Sequence, residues 1–173
     1  MLITSIDKVW QFQGVHARCL VASLLISRSI RRDSVFIMYL REGYAIEFLG
    51  SRIRQLRPDE ASAFGIIRRA IDYLRRRDSG KPHSGVYVKK LSLNDLLSIS
   101  STLQKFYSES YGRSVINLKL RNFTFITCID RYLDQEVKEF RSRDFTPITF
   151  PKRYSPEQEI VLINYFADLS EFL

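Results

Sequence analysis

Arginine carries most of the chemistry this chain offers. Lys and Arg total 27 against 19 Asp and Glu, a net charge of +8, and 19 of the 27 cations are Arg. A guanidinium is a planar fork that grips phosphate through paired hydrogen bonds and stacks on bases, which an ammonium does not do. The cations are spread unevenly. Residues 1–110 hold 18 basic and 10 acidic side chains, whereas residues 111–173 hold nine of each. A surface built for ion pairing would bring the two signs nearer balance, so the excess points to a nucleic-acid partner. The candidate RNA contacts are Arg18, Arg28, Arg31, Arg32, Arg52, Arg54, Arg57, Arg68, Arg69, Arg75, Arg76 and Arg77.

Other chemistry is sparse. His16 and His83 have no Cys or carboxylate at metal-ligand spacing, which argues against zinc. No Gly-Lys-Ser/Thr loop is present to cradle a nucleotide. Asp130 and Asp134 stand at i, i+4 at a helix start, where capping explains them better than acid-base catalysis. Cys19 and Cys128 lie in apolar surroundings, as small core residues of a protein kept in a reducing, cytoplasmic compartment. No apolar run reaches the ~18 residues that span a bilayer, and "DKVWQFQGVH" interrupts any leader-like segment. The stretch "PITFPKRYSPEQEIVLINYF" (147–166) reads as strand, loop and amphipathic helix, a junction where α/β proteins hold ligands. Its loop has prolines and no glycine. The last glycine in the chain is Gly112.

These residues need elements to position them. A strand around "LITSI" precedes a helix over 16–29, and "SVFIMYL" with "YAIEFLG" forms a hairpin about "REG". The segment 57–77 is the clearest helix. It has Phe64, Ile67, Ala70, Ile71 and Leu74 on one stripe, and Arg68, Arg69, Arg75 and Arg76 on another. A polar loop (76–85) leads to the strand 86–91, and Ser92 with Asp95 opens a helix expected over 93–110. Strands at 115–120 and 123–129, a helix over 131–143, the strand "TPITF" and a closing helix complete the pattern. Strands alternating with helices imply one α/β domain with a mostly parallel sheet.

"SLLISRSIRRDSVFIMYL", "IEFLGSRIRQLRPDEASAFGIIRRAI" and "SGVYVKKLSLNDLL" resemble, in order and spacing, the archaeal tRNA pseudouridine N1-methyltransferase (TrmY-like) family of the SPOUT class. The likeness runs from about residue 16 to 97, and 123–169 follows it only as a pattern of apolar segments. The resemblance implies an α/β fold with a C-terminal trefoil knot, a homodimer, S-adenosylmethionine in the knot and structured RNA as substrate. It divides the domain 1–173 into a basic RNA-facing part (1–110) and a knot-like part (111–173). The first cofactor turn of the family falls on Thr127, Cys128, Ile129 and Asp130, where its glycine becomes Cys128. The second falls on Ile148, Thr149, Phe150 and Pro151, where only the proline survives. An Arg-Leu-Asp element used on the target base falls on Phe12, Gln13 and Gly14, so its arginine and carboxylate are both missing, while Arg18 matches a family arginine.

A cofactor cradle calls for tight turns, some at positive φ, and close backbone approach. Glycine-free loops bearing Phe150, Lys152, Arg153 and Tyr154 therefore suggest a closed pocket. The expectation is a non-catalytic RNA-binding protein on a degenerate SPOUT scaffold, with no cofactor and no metal. It would serve as an accessory ribosomal protein or ribosome-associated factor contacting rRNA and ribosomal proteins. The alternative is an active S-adenosylmethionine-dependent tRNA or rRNA (pseudouridine) methyltransferase.

Overall fold

A computed structural model describes residues 1–27 and 29–171. In chain order the elements are β1 (Leu2–Thr4), α1 (Ile6–Gln11), α2 (Gln13–Leu24), β2 (Leu25–Ile26), β3 (Ser29–Ile30), β4 (Val35–Leu40), β5 (Tyr44–Leu49), α3 (Glu60–Leu74), β6 (Gly80–His83) and β7 (Val86–Lys90). They continue with α4 (Leu93–Ser98), β8 (Gln104–Ser114), a 3-10 turn (Val115–Asn117), β9 (Phe123–Cys128), α5 (Asp134–Ser142), β10 (Thr146–Thr149) and α6 (Pro156–Glu171). Eight strands form one sheet in the order β10-β8-β9-β1-β4-β5-β7-β6. The first five are mutually parallel and the last three join antiparallel.

Strand side chains alternate between two cores, as the pleat requires. Leu2, Met38 and Phe125 face the layer of α2, α3 and α6, where Leu20, Ile67, Ile160 and Ile163 are buried. Ile3, Tyr39 and Ile126 face α4 and α5, against Leu96, Leu97 and Phe140. The mostly parallel sheet flanked by helices is the expected architecture. The stripe on α3 also behaves as read: Ile67, Ala70 and Ile71 are buried, while Arg68 and Arg69 are exposed. Asp59 is the cap of that helix, its carboxylate accepting from the Ser62 amide at 2.7 Å.

Four local expectations are corrected. The first helical segment begins earlier, as α1 and α2, because Ser5 caps α1 by accepting from the Lys8 amide. Within the polar loop 76–85, residues 80–83 pair with β7 as an edge strand. The helix expected over 93–110 stops at Ser98, and Gln104–Ser114 is the longest strand. There "SISST" releases the backbone through hydroxyl groups, and the aromatic run that follows prefers a sheet. The strand expected over 115–120 is instead a 3-10 turn and an irregular connection, in which the Leu120 amide donates to Ser170 Oγ of α6 at 3.1 Å.

β8 seats β10 through a register shift between Pro147 and Ile148. Gly112, at φ +122°, lies so close that a Cβ would stand 2.2 Å from the Pro147 carbonyl oxygen. Gly112→Ala is therefore expected to cost about 2 kcal/mol or more. Thermal denaturation should record a Tm lower by roughly 4–8 °C, and an unchanged Tm would disprove the close approach.

Candidate active site

The parallel strands β8, β9, β1 and β4 end on the same edge of the sheet, and β10 ends beside them. The crevice outside such carboxyl ends is where open α/β sheets place ligands. The segment after β9 is held there by Arg41, which follows β4. Its Nε donates to Glu136 Oε1 at 2.7 Å, and its Nη2 donates to Glu136 Oε2 at 3.0 Å and to the Arg131 carbonyl at 2.7 Å. Nη1 reaches Asp130 at 3.4 Å. Glu136 also caps α5, accepting from the Leu133 amide at 2.8 Å. With the Arg41 and Glu136 side chains only 20% and 7% exposed, removing either partner strands a poorly solvated charge, at about 3 kcal/mol. Partial burial alone would raise the Asp130 carboxyl, but the Arg131 amide and Arg41 outweigh it and hold it below the usual carboxylate range.

Beneath this loop Glu159, in the first turns of α6, accepts from Ser108 of β8 and Thr127 of β9, both at 2.6 Å. Burial pushes its carboxyl up, partly opposed by those two hydroxyls. Sequence reading missed Glu159, whose partners lie 51 and 32 residues away. Burial also pushes the Cys128 thiol up to about 12, so it is protonated at neutral pH and is no nucleophile. His16 is an anchor: Nδ1 meets the Phe12 carbonyl at 2.8 Å and Nε2 meets Thr4 Oγ1 at 2.9 Å, tying α2 to the end of β1.

The second expected loop follows β10. Phe150 turns inward, 8% exposed, with ring centroids 5.9 Å from Phe125 and 6.2 Å from Tyr154. It is a core side chain under α6. Among the described residues with positive φ, none lies in 127–131 or 147–156. Both turns thus follow their paths in conformations open to any residue, and the missing glycines remove nothing the backbone needs. The amides of Lys152, Arg153 and Tyr154 make no hydrogen bond among the described residues.

Near the start of α2, a Cβ on Gly14 would lie 2.7 Å from Glu60 Oε2. Glu60 is held by Arg18 at 2.7 Å, and Arg18 also bonds Glu157 at 3.1 Å. A carboxylate and an arginine thus stand beside Gly14 although the sequence at 12–14 carries neither. Of the other candidate RNA contacts, Arg31 is paired with Asp168 and Arg75 with Asp72. Arg32, Arg52, Arg54, Arg57, Arg68, Arg69, Arg76 and Arg77 are exposed and form no ion pair among the described residues. Arg28 lies outside the described residues.

The strand order, five parallel strands flanked by helices on both faces, is that of a SPOUT-type α/β fold. The Archaeoglobus fulgidus Nep1 structure, bound to S-adenosylhomocysteine, superposes with a TM-score of 0.63 at 13% identity, over 92% of this chain and 71% of that one. A model of a family described as putative SAM-dependent RNA methyltransferases matches residues 13–144, and the chain belongs to that family. Among its relatives, the tRNA (pseudouridine(54)-N(1))-methyltransferase of Methanocella arvoryzae is 28% identical over 162 residues, 89% of this chain and 83% of that protein. The same enzyme of Methanocaldococcus jannaschii is 28% identical over 121 residues, 63% of this chain and 59% of that protein. The TrmY-like resemblance is thereby established.

These matches overturn the expectation of a non-catalytic, ribosome-associated RNA-binding protein. That expectation rested on the missing glycines and on the bulk of the loop side chains; neither loop uses a positive φ, and Phe150 turns into the core. Among the described residues no helix is long and apolar enough to cross a membrane.

Glu159 supplies a pH test. Its folded carboxyl titrates above the unfolded one, so its contribution to stability is complete below the unfolded value and is lost as pH rises through the folded value. Glu159→Gln should therefore gain on the wild type in Tm between pH 4 and pH 7. A variant that loses ground over that range would mean that the Ser108 and Thr127 bonds outweigh burial.

Proposed function

We propose that this protein is an S-adenosylmethionine-dependent tRNA methyltransferase whose acceptor is the N1 nitrogen of a pseudouridine, at position 54 as in its named relatives. The observation that carries this reading is the pair of loops, 127–131 and 149–154, at neighbouring carboxyl ends of the sheet. They need no positive φ and offer open amides. The residues present fit the cofactor. Lys152, Arg153 and Tyr154 supply donors, Asp130 has lone pairs beyond its contact with Arg41 for ribose hydroxyls, and Cys128, Ile129, Thr149 and Pro151 form the walls, with Thr127 and Phe150 buried behind them. When bound, the cofactor supplies an electrophilic methyl group on a sulfonium.

The chain's own contribution is placement. Arg41 and Glu136 hold the first loop in one arrangement, so that little ordering remains to be done when ligand arrives. Arg18 with Glu60 provides an arginine and a carboxylate beside Gly14, and this pair orients the target base. Residues 1–110 supply the cations that meet RNA phosphates, residues 111–173 the cofactor loops, and a trefoil knot encloses the latter. The substrate class suits a cytoplasmic enzyme.

The test is methyl transfer from labelled S-adenosylmethionine to a pseudouridine-containing tRNA, with a thermal shift on adding the cofactor. Incorporation at N1 is expected, and neither incorporation nor shift at millimolar cofactor would defeat the proposal. Arg18 and Glu60 are 45% and 55% exposed, so their pair adds less than about 1 kcal/mol to stability. Glu60→Gln should keep its Tm and lose at least about tenfold in kcat/KM, a loss of about 1.4 kcal/mol in transition-state stabilisation.

A second copy of the chain accounts for another feature. Val161, Tyr165 and Leu169 form an exposed apolar stripe on α6, next to a cavity of about 460 Å³ lined by Val21, Ala22, Tyr154 and Leu162. Light scattering should give twice the monomer mass, falling to the monomer with Tyr165→Glu. A monomeric wild type would exclude the dimer.

A further inference from the structure

The largest uncommitted charge lies at the edge of the sheet opposite the methyl-transfer crevice. The connection after β5 is fixed there against the β6–β7 turn. Leu49 and Ile53 anchor it, with the Leu49 amide donating to the Gly85 carbonyl at 2.8 Å and the Ile53 amide donating to the Leu49 carbonyl at 2.8 Å. Ser84 Oγ donates to the Arg52 carbonyl at 3.1 Å. Gly85, at φ +72°, admits this approach, since a Cβ would stand 2.3 Å from the Ile53 nitrogen. Between Arg54 and Leu56 the chain turns through Gln55 at φ +61°, a left-handed conformation that a non-glycine residue holds only when its surroundings enforce it.

Four cations project from this scaffold. His83 links two of them: Arg69 Nη1 lies 3.4 Å from Nδ1, and Nε2 lies 3.0 Å from the Arg54 carbonyl. A guanidinium only donates, so Nδ1 is the acceptor and Nε2 carries the hydrogen donated to Arg54. Tyr87 links the other two, with Arg52 Nη1 donating to its hydroxyl at 3.4 Å and Lys81 Nζ 5.8 Å from its ring centroid. Hydrogen bonding to Arg52 and the nearby charges pull the Tyr87 hydroxyl below its usual value despite slight desolvation. None of the four cations forms an ion pair among the described residues. By contrast Lys89 and Lys90, two and three residues beyond Tyr87, are held by Glu47 and Asp78.

We infer that Arg52, Arg54, Arg69 and Lys81, held around His83 and Tyr87, form a phosphate-binding platform for the body of a folded RNA, away from the base being methylated. The inference rests on the RNA methyltransferase reading. Strand register fixes the separation. Val86 pairs with Phe48, and Leu49 with Val35 at the start of β4, whereas Cys128 ends β9 on the opposite edge and four strands away. With about 3.3 Å per residue along a strand and about 4.8 Å between strands, the platform lies on the order of 25 Å from Cys128 and the cofactor loops, and Arg69 stands nine residues, about 13 Å, along α3 from Glu60. A short stem-loop seated by its target base between Glu60 and the cofactor loops brings few phosphates to the platform, while the body of a folded tRNA covers it. The enzyme thus selects by RNA size and shape through its phosphates.

The test uses Arg54→Gln/Arg69→Gln in the full chain. Both sites are exposed, so the Tm should stay within a few degrees of wild type. Fluorescence anisotropy should show about tenfold weaker binding of whole tRNA near physiological salt, and a salt slope shallower by about two. Binding of an isolated stem-loop with the target base should be unchanged, and in methyl transfer KM for tRNA should rise with kcat kept. Equal losses on tRNA and stem-loop, or no loss on either, would overturn the platform. So would polyglutamate competing at the platform as well as tRNA of equal charge, which marks a protein-docking face. If the variant loses tRNA affinity while the wild type transfers no methyl group, the platform stands and the proposed reaction fails.

Discussion

The Arg41 side chain is the brace on which the candidate site depends. Arg41 lies just past the end of β4, and its guanidinium reaches beyond β1 to the segment after β9, gripping Glu136, Asp130 and the Arg131 carbonyl. Because Glu136 also caps α5, a single pair fixes a loop, a helix start and the alignment of three strand ends. A bidentate guanidinium–carboxylate contact specifies angle as well as distance. Its low exposure keeps the interaction strong and makes the loss of either partner costly.

Around that brace the backbone does what glycine does elsewhere. A glycine is needed where φ is positive or where another chain passes too close for a Cβ. Both conditions arise in this molecule, at Gly112 against Pro147 and at Gly85 against Ile53. Neither arises in the loops after β9 and β10. Composition therefore misleads about those loops: it records the absence of a residue type without recording whether the path demands it. Phe150 illustrates the same point. Its bulk appears obstructive in the sequence, yet the pleat after β10 directs it into the layer beneath α6.

Charge is divided along the same lines as structure. Cations near α6 are consumed by carboxylates, Arg18 by Glu60 and Glu157 and Arg31 by Asp168. Arg68 and Arg69 on α3, Arg52, Arg54 and Arg57 on the connection before it and Lys81 on β6 have no such partners among the described residues, whereas Lys89 and Lys90 on β7 do. Pairing separates arginines that build the molecule from arginines that face outward, and a net charge cannot make that distinction.

Much was legible from residue order. The parallel α/β pattern, the hairpin of β4 and β5, the amphipathic α3 and the basic amino-terminal part all follow from local periodicity and composition, which act over a few residues. The extent of β8, the edge strand β6, the burial of Glu159 between Ser108 and Thr127, and the Arg18–Glu60 pair beside Gly14 were not legible. Each depends on partners between 32 and 51 residues away or on a neighbouring strand. Such contacts exist only once the sheet has brought distant segments together, so no local pattern encodes them. Local sequence set which segments become helix or strand and where positive charge is concentrated. Three-dimensional packing set which carboxylates those charges meet, and so which arginines remain exposed without an ion pair among the described residues.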